Sequence, residues 1–367
     1  MFVKAGIKMN KISKIQEKLV EFDLDAVLIT DEKNQRYATG FAFTDGAVLV
    51  TQNDAFLLTD SRYIEAAKKT VDDNVKVVLF GNTVRLIPLI KGVLQEKHIE
   101  KLGAEEQKLS YYEYTAYERL FGLKLRPAQK IFDELRASKS EDELENMKEA
   151  QRISEKALED VLDIIRPGIS EREIAAELGY RMMKYGAEGT SFDTISITGK
   201  KTSMPHGVPG DELVQNGDFV TMDFGCLKNG YCSDMTRTVA VGFATDEMKE
   251  VYYTVLRAQL AGIQNARAGL TGGQIDEAAR KVIRDAGYGE YFGHSFGHSL
   301  GLDIHEMPCA MPRSEVIMPE GAVVSAEPGI YIPGKFGVRI EDVMILRKDG
   351  AEVITKAPKM DLIIINR

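Results

Sequence analysis

Four of the five histidines, His206, His294, His298 and His305, lie beside glycine and proline in the C-terminal part of the chain, and only His98 stands elsewhere. Two pairs of carboxylates accompany them. In FVTMDFGCLKNGYCSDMTRTVAV, residues 219–241, two β-type runs flank Asn229-Gly230, a strong signal for a two-residue hairpin turn. Such a turn pairs Lys228 with Tyr231, and the same register carries Asp223 opposite Thr236. Side chains alternate along a strand, so Asp234 shares the face of Thr236. Asp223 and Asp234 then lie diagonally across one face, with Cβ atoms ~7 Å apart or less. Asp is disfavoured within strands, so two on one face need a reason.

A second hairpin repeats the pattern. In AVVSAEPGIYIPGKFGVRIEDVMIL, residues 322–346, a loop at Pro333-Gly334-Lys335 pairs Ile332 with Phe336 and sets Glu327 directly opposite Glu341. Like charges facing one another across a ladder are destabilising unless something positive lies between them. Four such charges converging in a buried place cost several kcal/mol each without matching ions, and two divalent metals supply the match. An oxygen-rich set with one imidazole suits manganese, cobalt or iron better than a structural zinc site. The run FGHSFGHSLGLDIHE offers the imidazole, and Gly297 and Gly301 argue against a helix there.

The elements that must position these groups can be read from the rest of the 367 residues, a length that suits two domains. Residues 11–130 alternate helical patterns with short apolar runs (DAVLIT, GAVLVT, DAFLLT, VKVVLF), as an α/β domain does. A long helix follows, with Ser140 and Glu143 as a capping box and Pro167-Gly168 beyond its end. After a second helix at 171–189 the chain turns to antiparallel strands, with further helical sequence around 247–287 and a stop and restart at GLTGGQ, residues 269–274. This part is α+β with antiparallel hairpins. Hydrophobic residues at 44% and charged residues at 28% are ordinary globular usage and exclude a largely disordered chain. The net charge of −9 repels a phosphate backbone, so no nucleic-acid partner is expected.

No apolar run approaches the ~18 residues of a membrane span, and MFVKAGIKMN lacks the apolar centre of a secretory signal. The expectation is a cytoplasmic protein without membrane contact, with residues 1–10 an upstream translation start of no structural role. Cys226, Cys232 and Cys309 form neither a disulfide framework nor a CxxC pair and read as incidental thiols. ITGKKTS has Thr194 and Lys201 where a phosphate loop needs Gly and Ser or Thr; it reads as a surface loop leading into the site.

The motifs RYATGF, LLTDSRY, GAEGTSFDTI, MPHGVP, MDFG with YCSDMTRT, GHSLGLDIHE, AEPGIYIPG and GVRIEDV occur in order across nearly the whole chain. In these the sequence resembles the pita-bread metallopeptidases, in the branch of the Xaa-Pro dipeptidases (prolidases) and aminopeptidase P. The resemblance implies a creatinase-like α/β N-terminal domain over 1–135 and an α+β pita-bread catalytic domain with antiparallel hairpins over 136–367. It makes Asp223, Asp234, His298, Glu327 and Glu341 the metal ligands, with Asp234 and Glu341 bridging two divalent ions. Mn2+ or Co2+ are preferred, with Fe2+ or Zn2+ also compatible. It sets His206, His294, His305 and Arg339 around the substrate and implies a homodimer whose N-terminal domains help to shape the partner's site. Ser299 departs from the family's usual Gly, and Ser325-Ala326 from its usual Thr and larger aliphatic residue.

The chemistry this implies is hydrolysis of the Xaa-Pro imide bond at the N-terminal end of a dipeptide or short peptide, by a metal-bridging hydroxide. Glu327 is the expected proton shuttle to the prolyl nitrogen, and His305 or His206 the oxyanion partner. In a dipeptidase Arg339 answers the product carboxylate. Two other readings stand beside this one: an aminopeptidase P acting on longer peptides with proline second, and a catalytically silent pita-bread binding protein. Retention of all five ligands argues against the silent protein and against creatinase, which is metal-free. A methionine aminopeptidase would lack the N-terminal domain.

Overall fold

The computed structural model describes residues 11–366, so the reading of residues 1–10 lies outside it. The chain divides into two compact units between Arg136 and Ala137. The first is a mixed six-stranded sheet in the order Lys76–Leu79, Ala55–Thr59, Gly46–Thr51, Ala26–Ile29, Leu102–Ala104, Leu125–Pro127. Its central strands Ala26–Ile29, Gly46–Thr51 and Ala55–Thr59 are buried at nearly every position, as strands covered on both faces are. Val27, Ile29, Val48 and Val50 pack against helical Ile15, Leu19, Ile131 and Phe132 on one face. Ala26, Leu28, Leu49 and Leu58 pack against helical Ile90, Leu94 and Phe121 on the other. This is the expected α/β layering.

The second unit is α+β and carries two helix-backed sheets. One is four-stranded, in the order Ile364–Ile365, Met235–Val241, Phe219–Phe224, Ile195–Thr198. Helices Glu141–Leu162 and Glu171–Lys184 cover one of its faces. The first starts at the expected capping box, with the Ser140 backbone N–H donating to Glu143 Oε2 at 2.9 Å. Alternation does the sorting: Val220, Met222 and Phe224 join the core beneath the helices, which turns Thr221 and Asp223 to the opposite face. The other sheet is five-stranded, in the order Glu306–Ala310, Gly297–Ser299, Val323–Ala326, Asp342–Arg347, Gly350–Val353. Helices Asp246–Asn265 and Gly272–Asp285 back it through Val251, Val255, Ile275 and Ala279, which meet Val324, Ala326 and Met344.

Both hairpins keep the register that their turns dictate. Asn229 and Gly230 take positive φ of 49° and 77°, Lys228 pairs with Tyr231, and Asp223 faces Thr236. In the second, Ile332 pairs with Phe336 and Gly329 with Arg339, while further out Ala326 pairs with Asp342 in the same register. Glu327 and Glu341 occupy the break between these two ladders, where Pro328 has no backbone N–H to give to a ladder.

Close approach of strands explains one glycine. A Cβ on Gly297 would stand 1.9 Å from the Ser325 carbonyl oxygen. Gly297→Ala is therefore expected to cost more than about 2 kcal/mol of stability in a denaturant titration and to loosen His298 next to it. A loss below about 0.5 kcal/mol would contradict this packing argument. Among the described residues, no helix is long and apolar enough to cross a membrane, and all three cysteines are free.

Candidate metal centre

Strand alternation and the two hairpins bring Asp223, Asp234, His298, Glu327 and Glu341 to one cavity of about 450 Å³, lined as well by His206, His294, His305 and Arg339. Ligating atoms of Asp234, His298 and Glu341 lie within 4.8 Å of one another. His298 Nε2 stands 3.5 Å from Asp234 Oδ2 and 3.4 Å from Glu327 Oε1. His298 Nδ1 lies 3.1 Å from the Ser299 carbonyl, which can only accept, so the proton resides on Nδ1 and the Nε2 lone pair faces the carboxylates. Ser325 Oγ accepts from the His298 backbone N–H at 3.0 Å and donates to Glu327 Oε1 at 3.1 Å, tying the two side chains in one orientation. Thr236 Oγ1 donates to Glu341 Oε2 at 2.7 Å.

Two carboxylate oxygens, Asp223 Oδ1 and Glu341 Oε1, are buried with no protein partner. Orphaned oxygens beside an exposed imidazole lone pair are what a cation site looks like with its protein half complete. The electrostatics agree. Burial first, then Asp223 and Glu327, push the Asp234 carboxyl well above the usual range. Burial, then Asp234, does the same to Glu341. Burial raises Glu327 to about 7 against the pull of Arg339, and burial lowers the His298 imidazole. Each shift is the cost of gathering anions away from water, and positive charge removes it. Four carboxylates and one imidazole form an oxygen-rich donor set that fits divalent ions of the manganese, cobalt or iron type.

A chain of hydrogen bonds runs along the cavity wall. Arg339 donates from Nη2 to Asp223 Oδ2 at 2.5 Å, from Nη1 to Tyr331 Oη at 2.9 Å and to the Pro205 carbonyl at 3.3 Å, and from Nε to Thr236 Oγ1 at 3.1 Å. Among the described residues, those bonds use four of the five guanidinium N–H groups. The Tyr331 hydroxyl then donates to His294 Nε2 at 2.9 Å, and His294 Nδ1 donates to the Ser295 carbonyl at 2.9 Å. Burial and Arg339 hold His294 down at about 4, so it stays neutral in this role. His305 projects from the loop at 300–306, its ring centroid 4.4 Å from that of His298. That loop is braced by Glu306, which accepts from the Asp303 backbone N–H at 3.1 Å and from buried Lys139 Nζ at 3.0 Å. Behind the site, Arg237 donates to the Glu341 carbonyl at 2.6 Å and pairs with Asp342 at 2.8 Å, fixing the strand that carries Glu341.

All nine sequence-derived positions line this cavity. Tyr331 and Thr236 were missed, although the hairpin registers carried a signal for both. Thr236 is the residue opposite Asp223, and Tyr331 lies diagonal to Arg339 on one face of its ladder.

Comparison with known proteins accords with this geometry. Residues 145–348 match metallopeptidase family M24, and residues 11–138 match the creatinase/prolidase N-terminal domain. The chain belongs to metallopeptidase family M24, as the motifs implied. It is 43% identical to a solved structure of an Xaa-Pro dipeptidase from Bacillus anthracis, with a TM-score of 0.93 and coverage of 96% of this chain and 99% of that one. A solved X-Pro aminopeptidase from Thermotoga maritima is 38% identical with a TM-score of 0.89, again covering 96% and 99%. An Xaa-Pro dipeptidase from Pyrococcus horikoshii is 36% identical over 96% of this chain and 99% of its own.

Proposed function

We propose that the chain is a dinuclear-metal Xaa-Pro dipeptidase. The observation that carries this reading is the convergence of four carboxylates and the His298 Nε2 lone pair, with two buried carboxylate oxygens left unpartnered. In it Asp223, Asp234, His298, Glu327 and Glu341 would hold two divalent ions, Mn2+ or Co2+ in preference. When bound, such ions lower the pKa of water towards 7 and polarise a carbonyl oxygen.

The chain's own groups do the rest. Glu327 takes the proton of the attacking water at a carboxylate oxygen and delivers it to the prolyl nitrogen, which cannot leave as an anion. His206 and His305, both exposed at the cavity mouth, offer ring N–H donors to the scissile carbonyl as charge grows on its oxygen. Arg339 neutralises Asp223 and, through Tyr331, holds His294 beside the product end. Phe192, Ile195, Pro205 and Ile304 give the cavity an apolar wall for the pyrrolidine ring. The prolyl imide lacks an N–H, so shape rather than a hydrogen bond to that nitrogen selects it. A cytoplasmic homodimer completes the proposal.

Aminopeptidase P activity is the second reading, supported by the X-Pro aminopeptidase among the similar structures. Turnover of Ala-Pro and Ala-Pro-Ala by metal-loaded protein, before and after chelation, separates the two. The expected result is a kcat/KM for Ala-Pro at least about tenfold above that for the tripeptide, and loss of both on chelation. The reverse preference assigns aminopeptidase P; activity untouched by chelation discards the metal centre.

A further inference from the structure

Of the histidines around the cavity, His206 has the least to hold its ring. His294 and His298 each engage a backbone carbonyl through Nδ1. Among the described residues none hydrogen-bonds to the His206 ring, and the residue is exposed. Its place at the cavity mouth is therefore set by the backbone of the loop that carries it, from Thr198 at the end of a strand to Gly210.

Both ends of that loop converge on one carboxylate. Glu171, the first residue of helix Glu171–Lys184, has a side chain 0% exposed. Its Oε1 accepts from the Thr198 backbone N–H at 2.8 Å. Its Oε2 accepts from the Gly210 backbone N–H at 2.8 Å and from Lys201 Nζ at 2.6 Å. The Arg172 N–H adds a bond to the Gly210 carbonyl at 3.1 Å. Capping does not account for this carboxylate. Ser170 and Glu173 already form the capping box of the helix, and both oxygens of Glu171 turn away to the loop. A buried anion met by two backbone donors and an ammonium is well matched, and removing it takes one hold from each end of the loop at once. From the braced ends the chain reaches the site at Pro205, whose carbonyl accepts from Arg339.

We propose that Glu171 is a positioning residue for His206: it clamps the loop at 198–210 so that an otherwise unanchored imidazole stands at the scissile carbonyl. The kinetic part rests on the dipeptidase reading. In metal-loaded protein, Glu171→Gln keeps the size of the side chain but turns one acceptor into a donor facing donors. It is expected to lower kcat/KM for Ala-Pro by about tenfold to a hundredfold, the scale of a misplaced group, with metal content unchanged. The discriminating measurement is a cycle with His206→Ala. In that background Glu171→Gln should cost less than about twofold; an undiminished loss there overturns the proposal. Arg172→Gln, in an exposed pair with Asp211 on the same helix turn, serves as the control and should match wild type.

Should Glu171→Gln fail to fold, Lys201→Met removes one partner of the clamp and must show the same dependence on His206. A second readout does not need turnover. With five histidines in the chain, imidazole resonances can be assigned by single substitution. Glu171→Gln should shift or broaden the His206 signals and leave those of His98 and His294 in place. An unaltered His206 signal overturns the proposal even if wild-type protein proves inactive on Ala-Pro, an outcome that would sink only the dipeptidase reading.

Discussion

Glu327→Gln is expected to reduce Ala-Pro turnover by metal-loaded protein by at least about a thousandfold while the fold survives. Loss of a general base alone costs about 10²–10⁴ in rate, and here the same carboxylate is also a candidate ligand, 3.4 Å from His298 Nε2. Glutamine keeps an acceptor for the Ser325 hydroxyl, so the local hydrogen bond that steadies residue 327 persists. Steady-state kinetics, metal content and circular dichroism on one preparation check the result. A variant retaining a tenth of wild-type turnover would show that the proton moves through another group, and the role of Glu327 would have to be withdrawn.

The second large effect belongs to the metal-free protein. Asp234, Glu327 and Glu341 all have folded-state pKa values raised by burial and by one another. For a carboxyl with a raised pKa the folded state binds protons more tightly than the unfolded one, so stability is fully present below the unfolded value and is lost as pH rises through the folded value. Metal-free protein should thus weaken between about pH 4.5 and pH 7, the window set by Glu327. Bound divalent ions should abolish the slope, since the anions are then matched. Urea titrations of the stripped protein at several pH values, with and without Mn2+, test this. Glu327→Gln should flatten the metal-free profile, and a wild-type profile that is flat without metal would contradict the buried charge cluster itself.

Much of this site was legible because two hairpin turns encode register. Asn229-Gly230 admits positive φ at both central positions, and that local property alone puts Asp223 across from Thr236. The layering of both units followed equally directly from apolar periodicity. Loop-borne features were less readable. Which of His294, His298 and His305 turns its free nitrogen to the carboxylates depends on which backbone carbonyl takes the other, and no spacing rule gives that. The pairing of Arg339 with Asp223 joins residues 116 apart in the chain. It comes from two sheets meeting in one unit rather than from anything local to either segment. Glu171 went unread in the sequence, since nothing local sets it apart from other first-turn acids; only the path of the loop at 198–210 gives it a role.

The uninterrupted register on either side of Glu327 and Glu341 has an evolutionary corollary. Because side chains alternate faces, gaining or losing one residue at Pro333-Gly334-Lys335 would rotate Arg339 and Tyr331 out of step and push core aliphatics into the cavity. Drift in this stretch should therefore proceed by exchange of residue types or by paired, symmetric lengthening of both strands. Single side-chain exchanges intended to alter selectivity have more latitude at Met204 and Val208, both open to solvent and outside any ladder, provided the backbone that carries His206 between them is kept.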